Sequence, residues 1–171
     1  KPLSVYGPGI DKNVLNYSTR LLDYGIIVNG QRWPRNFSGS MGSEDSYCIL
    51  QSAVAQSLNT TSAQALKRVG LDTSFDYVTN HFHLSTLIAD GDNTDKNFSS
   101  LAVGGMSRGV TTLEMCAAYC TFGNGGKYYK PYCYYKVTDF SGKNVYLETA
   151  ANPEQAIGED TATIMNRILQ T

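Results

Sequence analysis

The sequence has little charge and no long apolar segment. Asp, Glu, Lys and Arg make up 17% of the 171 residues, and the formal net charge at pH 7 is −1. A chain with this balance has no surplus of positive charge with which to bind nucleic acid or an anionic membrane surface. No run approaches the ~18 consecutive apolar residues of a membrane-spanning helix. We therefore exclude nucleic acid as a partner and expect no membrane span within these residues.

Residues that bind metal ions are also few, with four cysteines and two histidines. Cys116 and Cys120 lie one helical turn apart, and His81 and His83 form a separate H-x-H pair, but neither spacing is that of a zinc finger. A zinc site built from these four residues is the alternative to two buried thiols and two ordinary histidines. We favour the thiols and expect no metal and no cofactor. A disulfide between Cys116 and Cys120 is not expected either, because residues four apart on a helix hold their Cβ atoms ~5–6 Å apart.

What the sequence does contain is a strong helix signal between Leu101 and Gly126, LAVGGMSRGVTTLEMCAAYCTFGNGG. Thr111 and Glu114 have the T-x-x-E spacing of a capping box, in which the hydroxyl accepts one backbone N–H at the helix start and the carboxylate accepts another. A helix is predicted to begin there and to end at the glycines of segment 123–126. One apolar face of this helix is predicted to contain Leu113, Cys116, Ala117 and Cys120.

The rest of the chain predicts further helices and two small hairpins. Asn29-Gly30, between β-branched and aromatic residues, is a strong hairpin signal, and residues 132–146 predict a second hairpin. Apolar periodicity beginning at Asp45 predicts one helix, and Thr61 is expected to N-cap the next, which Gly70 ends. The remaining predictions are a short opening helix limited by Gly7, Pro8 and Gly9, a helix capped by Thr73, a polar loop at 90–97, and a last helix starting at Glu159 or Asp160.

A break between two predicted helices carries the sequence Ser57-Leu58-Asn59. It places a hydroxyl and a carboxamide two residues apart, where a backbone turn can direct both side chains into one cleft. Taken alone, an S-x-N triplet has little meaning, because Ser and Asn favour helix ends for local hydrogen-bonding reasons. Its surroundings decide how it is interpreted.

Three segments together resemble class A penicillin-binding proteins. The helix signal described above is similar to the family pattern GG-x-S-x-G-V-[ST]-x-L-E-[ML]-x-x-A-Y-x-x-F-x-N-G-G. The segment AVAQSLNTTSAQALKRVG, around Ser57 and Asn59, resembles the family's A-[LV]-A-x-S-x-N block, and WPRNFSG resembles its W-x-P-x-N-[YF]-x-G linker. The stretch around 81–97 departs from the family, whose corresponding segment is usually shorter and more apolar.

The resemblance implies a fold and a domain organisation. The fold would be mainly α with two small β-hairpins, as the helical part of a penicillin-binding or serine β-lactamase-like transpeptidase domain that is α+β in the parent protein. Residues 1–171 would be a partial domain. The nucleophilic serine would lie three residues upstream of Lys1, and the K-T-G strand would follow Thr171. For that reason we expect the isolated chain to be inactive.

The resemblance also implies which residues act and on what. The family's motifs are S-x-x-K, S-D-N and K-T-G; Lys1 matches the lysine of the first, and Ser57 and Asn59 match the second. In such a site a lysine acts as base for the serine that attacks the D-Ala-D-Ala carbonyl of a peptidoglycan stem. Ser57 would relay a proton, and Asn59 would bind the substrate amide and fix the lysine.

The expected partners are peptidoglycan stem peptides, β-lactam antibiotics and other proteins of cell-wall synthesis. The expected location is the extracytoplasmic face of the bacterial membrane, with the parent protein anchored by an N-terminal helix. A degenerate structural or interaction module that has lost the site is the alternative outside the enzymes. A serine β-lactamase is the alternative within them.

Overall fold

The chain opens with a helix that runs past its glycines. The computed structural model describes residues 1–149 and 152–170. A π-helical turn at Pro2–Tyr6 continues directly into α1 (Gly7–Asp11). The expectation that the glycines around Pro8 limit this helix is therefore wrong.

Close packing explains why glycine and proline are tolerated here. A Cβ atom at Gly9 would lie 2.4 Å from Leu15 Cδ1, so only glycine fits. Pro8 has no N–H with which to bond the Ser4 carbonyl one turn earlier. That carbonyl accepts the Ser74 hydroxyl instead, so the missing backbone bond leaves no buried acceptor unpaired.

A strand pair takes the place of the first half of a predicted helix. β1 (Arg20–Tyr24) pairs antiparallel with β4 (Gly42–Ile49), whereas the sequence predicts helix from Asp45. Ser46 and Cys48 are half-buried between exposed neighbours, which is the two-residue period of a strand. The apolar residues that suggested a helix lie further on, in α2 (Leu50–Ala55), where Leu50 and Ala53 are fully buried.

The two predicted hairpins are confirmed. Asn29 and Gly30, both with positive φ, connect the first pair of strands, and Asp139 to Lys143 form the turn of the second. The strands are β2 (Ile26–Val28) with β3 (Gln31–Trp33), and β6 (Lys136–Thr138) with β7 (Val145–Glu148); a further short pair joins β5 (Lys127–Tyr128) to β8 (Glu154–Gln155).

The break between α2 and the next helix lies slightly earlier than predicted. α3 (Asn59–Val69) begins at Asn59 itself, and Gly70 ends it as expected. Thr61 does not cap this helix, because it lies within the first turn, fully buried, and donates its hydroxyl to the Leu58 carbonyl.

The middle of the chain alternates short helices and loops. α4 (Leu71–Asp76) starts directly after Gly70, so Thr73 is inside the helix and does not cap it, and a π-helical turn at Tyr77–His81 extends α4. The predicted polar loop at 90–97 is confirmed, and Asn97 caps α5 (Phe98–Val103) by accepting the Ser100 N–H.

The predicted capping box is confirmed at the start of α6 (Thr112–Gly123). The predicted apolar face is wrong, because Leu113 is 63% exposed and Cys116 and Cys120 are exposed. Nearly every residue of this helix is apolar or small, so apolar spacing alone does not identify the buried face. Phe122 determines it by packing edge-to-face on Phe82, and the face that it buries consists of Ala117, Ala118, Thr121 and Phe122.

The last helix closes the core. α7 (Glu159–Leu169) begins where predicted and buries Met165 and Ile168. The fold class is confirmed: the described residues are mainly helical, with small antiparallel strand pairs. The largest fully buried side chains are Tyr6, Leu21, Leu50, Leu66, Tyr77, Phe82, Leu84, Leu101, Met165 and Ile168.

Candidate active site

Lys1 contacts the turn between α2 and α3. Its Nζ atom lies 2.6 Å from the Ser57 carbonyl oxygen, 3.2 Å from Ser57 Oγ and 2.5 Å from Asn59 Oδ1. These partners are 56 and 58 residues away in sequence. The three residues predicted to form the site are thus brought together by tertiary structure.

The backbone of Ser57 has an unusual conformation. Its φ is +50°, in the left-handed region that residues other than glycine rarely adopt. This conformation ends α2 and turns both the carbonyl and the hydroxyl of Ser57 toward the same ammonium group. Ser57 is itself exposed, and its hydroxyl lies within hydrogen-bond distance of the lysine.

The Asn59 carboxamide is held in one orientation. Its Nδ2 donates to the Arg35 carbonyl oxygen over 2.8 Å. Since that oxygen can only accept, the Oδ1 atom must face the other way, toward Lys1. The side chain therefore presents an acceptor to the lysine.

Burial lowers the pKa of the Lys1 side chain below its ordinary value. Desolvation disfavours the charged form of a lysine, which brings the neutral amine within reach at lower pH. Lys1 makes no ion pair with a carboxylate among residues 1–149 and 152–170. Among the described residues, its charged form is held by the uncharged oxygens of Ser57 and Asn59. An amine of this kind can accept a proton and can pass it on through the Ser57 hydroxyl.

A small cavity of about 160 Å³ adjoins Lys1. Its lining includes Met106 and Gly109 of the loop before α6, and Tyr119 of α6 itself. A larger cleft of about 500 Å³ lies between the β2–β3 hairpin and residues 96–99, but it contains neither Lys1 nor the turn at Ser57.

Sequence reasoning missed the residues that hydrogen-bond to the start of α3, at Asn59 and Thr60. Asn36 Oδ1 accepts the backbone N–H groups of Asn59 and Thr60, and Asp23 accepts from Asn36 and from the Thr60 hydroxyl. Asn36 did appear in the WPRNFSG segment. Only its position within that motif marked it, since nothing in the sequence places it beside residue 59.

The residues of the alternative zinc site are separated into other contacts. His81 Nδ1 lies 2.7 Å from the Ala156 carbonyl, and His83 Nε2 lies 2.9 Å from Glu154. All four cysteines are free thiols. Within the described part of the chain, no three His, Cys, Asp or Glu residues are placed to hold a metal ion together. None of the described helices is both long and apolar enough to cross a membrane.

Comparison with solved structures finds the same fold. Penicillin-binding protein 1A from Haemophilus influenzae superimposes with a TM-score of 0.76 at 24% identity, covering 100% of this chain and 28% of that one. An imipenem acyl-enzyme complex of penicillin-binding protein A from M. tuberculosis superimposes with a TM-score of 0.75 at 18% identity, covering 98% of this chain and 41% of that one.

Comparison with curated sequences finds relatives that are much longer. Penicillin-binding protein 4 of Bacillus subtilis is 34% identical over 85% of this chain and 22% of its own length. Penicillin-binding protein 1A of Clostridium botulinum strain Hall is 31% identical over 99% of this chain and 20% of its own length. The chain thus spans about a fifth of these relatives.

The family model described as the penicillin binding protein transpeptidase domain matches residues 1–171. The match includes the turn that contacts Lys1 and the capped helix α6. The chain therefore belongs to the penicillin-binding protein transpeptidase domain family, which confirms the resemblance to class A penicillin-binding proteins seen in its motifs.

Proposed function

We propose that this chain is the central part of a D,D-transpeptidase domain that cross-links peptidoglycan stem peptides through a serine acyl-enzyme. The observation that carries the proposal is the contact of Lys1 Nζ with Ser57 Oγ at 3.2 Å and with Asn59 Oδ1 at 2.5 Å. These three residues match the family's lysine and S-x-N motifs, and tertiary contacts bring them to one point.

The proposed reaction uses a serine three residues upstream of Lys1 in the longer protein. Neutral Lys1 takes the proton of that serine hydroxyl while the oxygen bonds to the penultimate D-alanine carbonyl carbon. The C–N bond to the terminal D-alanine then breaks, and the leaving amine receives a proton from Lys1 through Ser57. The amine of a second stem attacks the acyl carbon and loses its proton to Lys1, which passes that proton to the serine oxygen as the acyl C–O bond breaks. The side chain of Asn59 would bind the donor amide and keep Lys1 in place.

β-Lactams would acylate the same serine as substrate mimics. The K-T-G strand and the oxyanion-hole donors would come from parts of the domain beyond these residues, so the isolated chain is proposed to be inactive. The longer protein would work at the extracytoplasmic face of the bacterial membrane, anchored by a helix of its own.

Fluorescent penicillin tests this proposal. In the full-length protein, Ser57→Ala should slow acylation by roughly 10²-fold, because a proton relay is removed, while the thermal unfolding midpoint stays unchanged. The isolated 171-residue chain should remain unlabelled after denaturing electrophoresis. Acylation of Ser57→Ala at the parent rate would contradict the roles given to the S-x-N triplet.

The lifetime of the acyl-enzyme separates a transpeptidase from a serine β-lactamase. A transpeptidase should retain the fluorescent label for many minutes after free penicillin is removed. Rapid loss of the label with release of hydrolysed penicillin would indicate a β-lactamase instead.

A further inference from the structure

The side chain of Asn36 caps a helix that it does not belong to. The first turn of α3 exposes the N–H groups of Asn59 and Thr60, and the residue in the N-cap position, Leu58, has no side-chain oxygen. Asn36 Oδ1 accepts both N–H groups, over 2.8 and 3.2 Å, from 23 and 24 residues earlier in the chain. A bond usually made by the adjacent N-cap residue is here made across the fold.

The side-chain carboxamide of Asn36 is fixed in orientation, and its backbone is fixed in position. Its Nδ2 donates to Asp23 Oδ1 over 2.9 Å, so its Oδ1 must face α3. Thr60, which is fully buried, donates its hydroxyl to the same carboxylate. The Asn36 backbone is closed into a turn by bonds to Gly39 and Ser40. Asn36 is only 8% exposed, so little water is available to replace any of these bonds.

Arg35 and Asn36 together hold Asn59 at two points. The Arg35 carbonyl accepts the Asn59 side chain, and Asn36 accepts the Asn59 backbone. With both points fixed, Asn59 Oδ1 can move very little. This atom lies 2.5 Å from Lys1 Nζ.

We infer that Asn36, locked by Asp23, is a positioning residue that holds Asn59 against Lys1. This rests on the proposed function, since it concerns the same lysine. The Asn36 side chain makes no hydrogen bond to Lys1 or Ser57, and it acts through α3. Losing the cap should let the first turn of α3 shift, and displacements of about 1 Å can cost on the order of 100-fold in rate.

A reciprocal exchange of the two side chains tests the inference. Asn36→Asp alone places two carboxylates side by side, and Asp23→Asn alone leaves Asn36 without a fixed rotation. The double variant Asp23→Asn/Asn36→Asp keeps one carboxylate and one carboxamide. The new carboxylate can accept the two N–H groups of α3, and the new carboxamide can donate to that carboxylate and to Thr60.

The measurement is the second-order acylation rate of the full-length protein by fluorescent penicillin. Each single variant should be slower by about 10- to 100-fold, and the double variant should recover to within a few-fold of the parent. Thr111→Ala is the control, because it removes the cap of α6, which makes no hydrogen bond to Lys1, Ser57 or Asn59. It should lower the thermal midpoint without slowing acylation at temperatures where the protein is folded.

The pH profile provides a readout that loss of stability alone does not move. Ser57 and Asn59 offer the oxygens that hold the charged form of Lys1, and Tyr119, whose pKa burial raises, is the other titratable side chain in the same cavity. With Asn59 loosened, the charged lysine loses an acceptor and its pKa falls. The acid limb of the acylation profile should therefore move to lower pH in Asn36→Ala and return in the double variant.

The outcomes separate the inference from the proposed function. If Ser57→Ala is slow while Asn36→Ala acylates at the parent rate with an unchanged profile, Asn36 is only structural and the inference is wrong. If Ser57→Ala, Asn59→Ala and Asn36→Ala all acylate at the parent rate, the proposed function fails first. Single variants that are slow but not rescued by the exchange would also overturn the inference, because the paired geometry would not be what matters.

Discussion

The N-termini of α3 and α6 are capped in opposite ways. In α6, Thr111 Oγ1 accepts the Glu114 N–H and Glu114 accepts the Thr111 N–H, so both partners lie within four residues. In α3, the acceptor is Asn36, which belongs to the loop after β3. The first cap is exposed and local, whereas the second is buried and depends on the rest of the fold.

This difference relates structure to the proposed chemistry. A local cap forms as soon as its helix forms, and it does not depend on contacts with other segments of the chain. A cap donated from another segment fixes the helix relative to that segment, which is what a site needs when its residues come from distant parts of the chain. Lys1 contacts Ser57 and Asn59 at the terminus of α3 that Asn36 caps in this way.

The largest expected effect tests whether Lys1, which contacts the N-terminus of α3, takes part in the reaction. In the full-length protein, Lys1→Met should slow acylation by about 10²- to 10⁴-fold, the usual contribution of a general base. Methionine keeps much of the stem's volume, so packing around the cavity should be retained. The check is acylation by fluorescent penicillin at several concentrations, and a variant as fast as the parent would remove Lys1 from the mechanism.

The next effect compares the two caps by stability. Asn36→Ala leaves the backbone N–H groups of Asn59 and Thr60 without their acceptor and removes one of the two donors to the Asp23 carboxylate. Water hardly reaches this site, and each orphaned group costs about 1–3 kcal/mol. We expect a loss of about 3 kcal/mol in the free energy of unfolding of the chain in urea. A loss below 1 kcal/mol would mean that water takes over the cap and that the α3 terminus is not constrained.

A buried carboxylate near α5 gives a pH-dependent effect. Burial alone would raise the pKa of Asp95, but N–H groups of Ile88 and Ser107 and the Ser100 hydroxyl donate to it, and the net pKa is lowered. A lowered folded-state pKa contributes stability that is present above the unfolded pKa and is lost as pH falls through the folded value.

Asp95→Asn should therefore remove part of the acid sensitivity of the chain. At neutral pH the variant should be less stable by about 1–3 kcal/mol, because one backbone donor loses its acceptor. Below about pH 4, where the parent also loses this contribution, the two stabilities should converge. Urea unfolding at a series of pH values checks this, and parallel curves would show that Asp95 does not carry the effect.

The two helix starts also show what could be predicted from sequence. The box at Thr111 was found because both partners lie within one motif, and the hairpin at Asn29-Gly30 was found for the same reason. The cap by Asn36 was missed because no spacing in the sequence relates residue 36 to residue 59. The family motifs predicted a site at Lys1, Ser57 and Asn59, but the contacts between these residues come from tertiary structure alone.

The errors have a common physical cause. The helix predicted from Asp45 begins only at Leu50, because pairing with β1 outweighs the local pattern. The buried face of α6 was misassigned because this helix has apolar residues on all of its faces. Only the contact of Phe122 with Phe82 determines which face is buried. In both cases a partner distant in sequence decides the outcome.

A smaller effect is expected at the local cap. Thr111→Ala should lower the free energy of unfolding by about 1 kcal/mol, the typical value for an N-cap, because the site is exposed and water can bond the freed N–H. Urea unfolding of Thr111→Ala beside Asn36→Ala gives the comparison directly. Equal losses for the two variants would contradict the distinction between the local and the distant cap.

The smallest effect concerns the exposed face of α6, where chemical modification of the cysteines should leave the stability of the fold unchanged. Cys116 and Cys120 are exposed, so an aromatic disulfide reagent should modify both without denaturant. Partial burial and the neighbouring Cys116 raise the pKa of Cys120, and its reaction should accelerate as the pH increases because the thiolate is the reactive form.

Cys48 is the internal control, since it is half-buried in β4 and both burial and Asp23 raise its pKa. In single-cysteine variants we expect Cys116 to react before Cys48. A need for denaturant at both positions of α6 would restore the buried face predicted from sequence and would rotate the helix relative to Phe122.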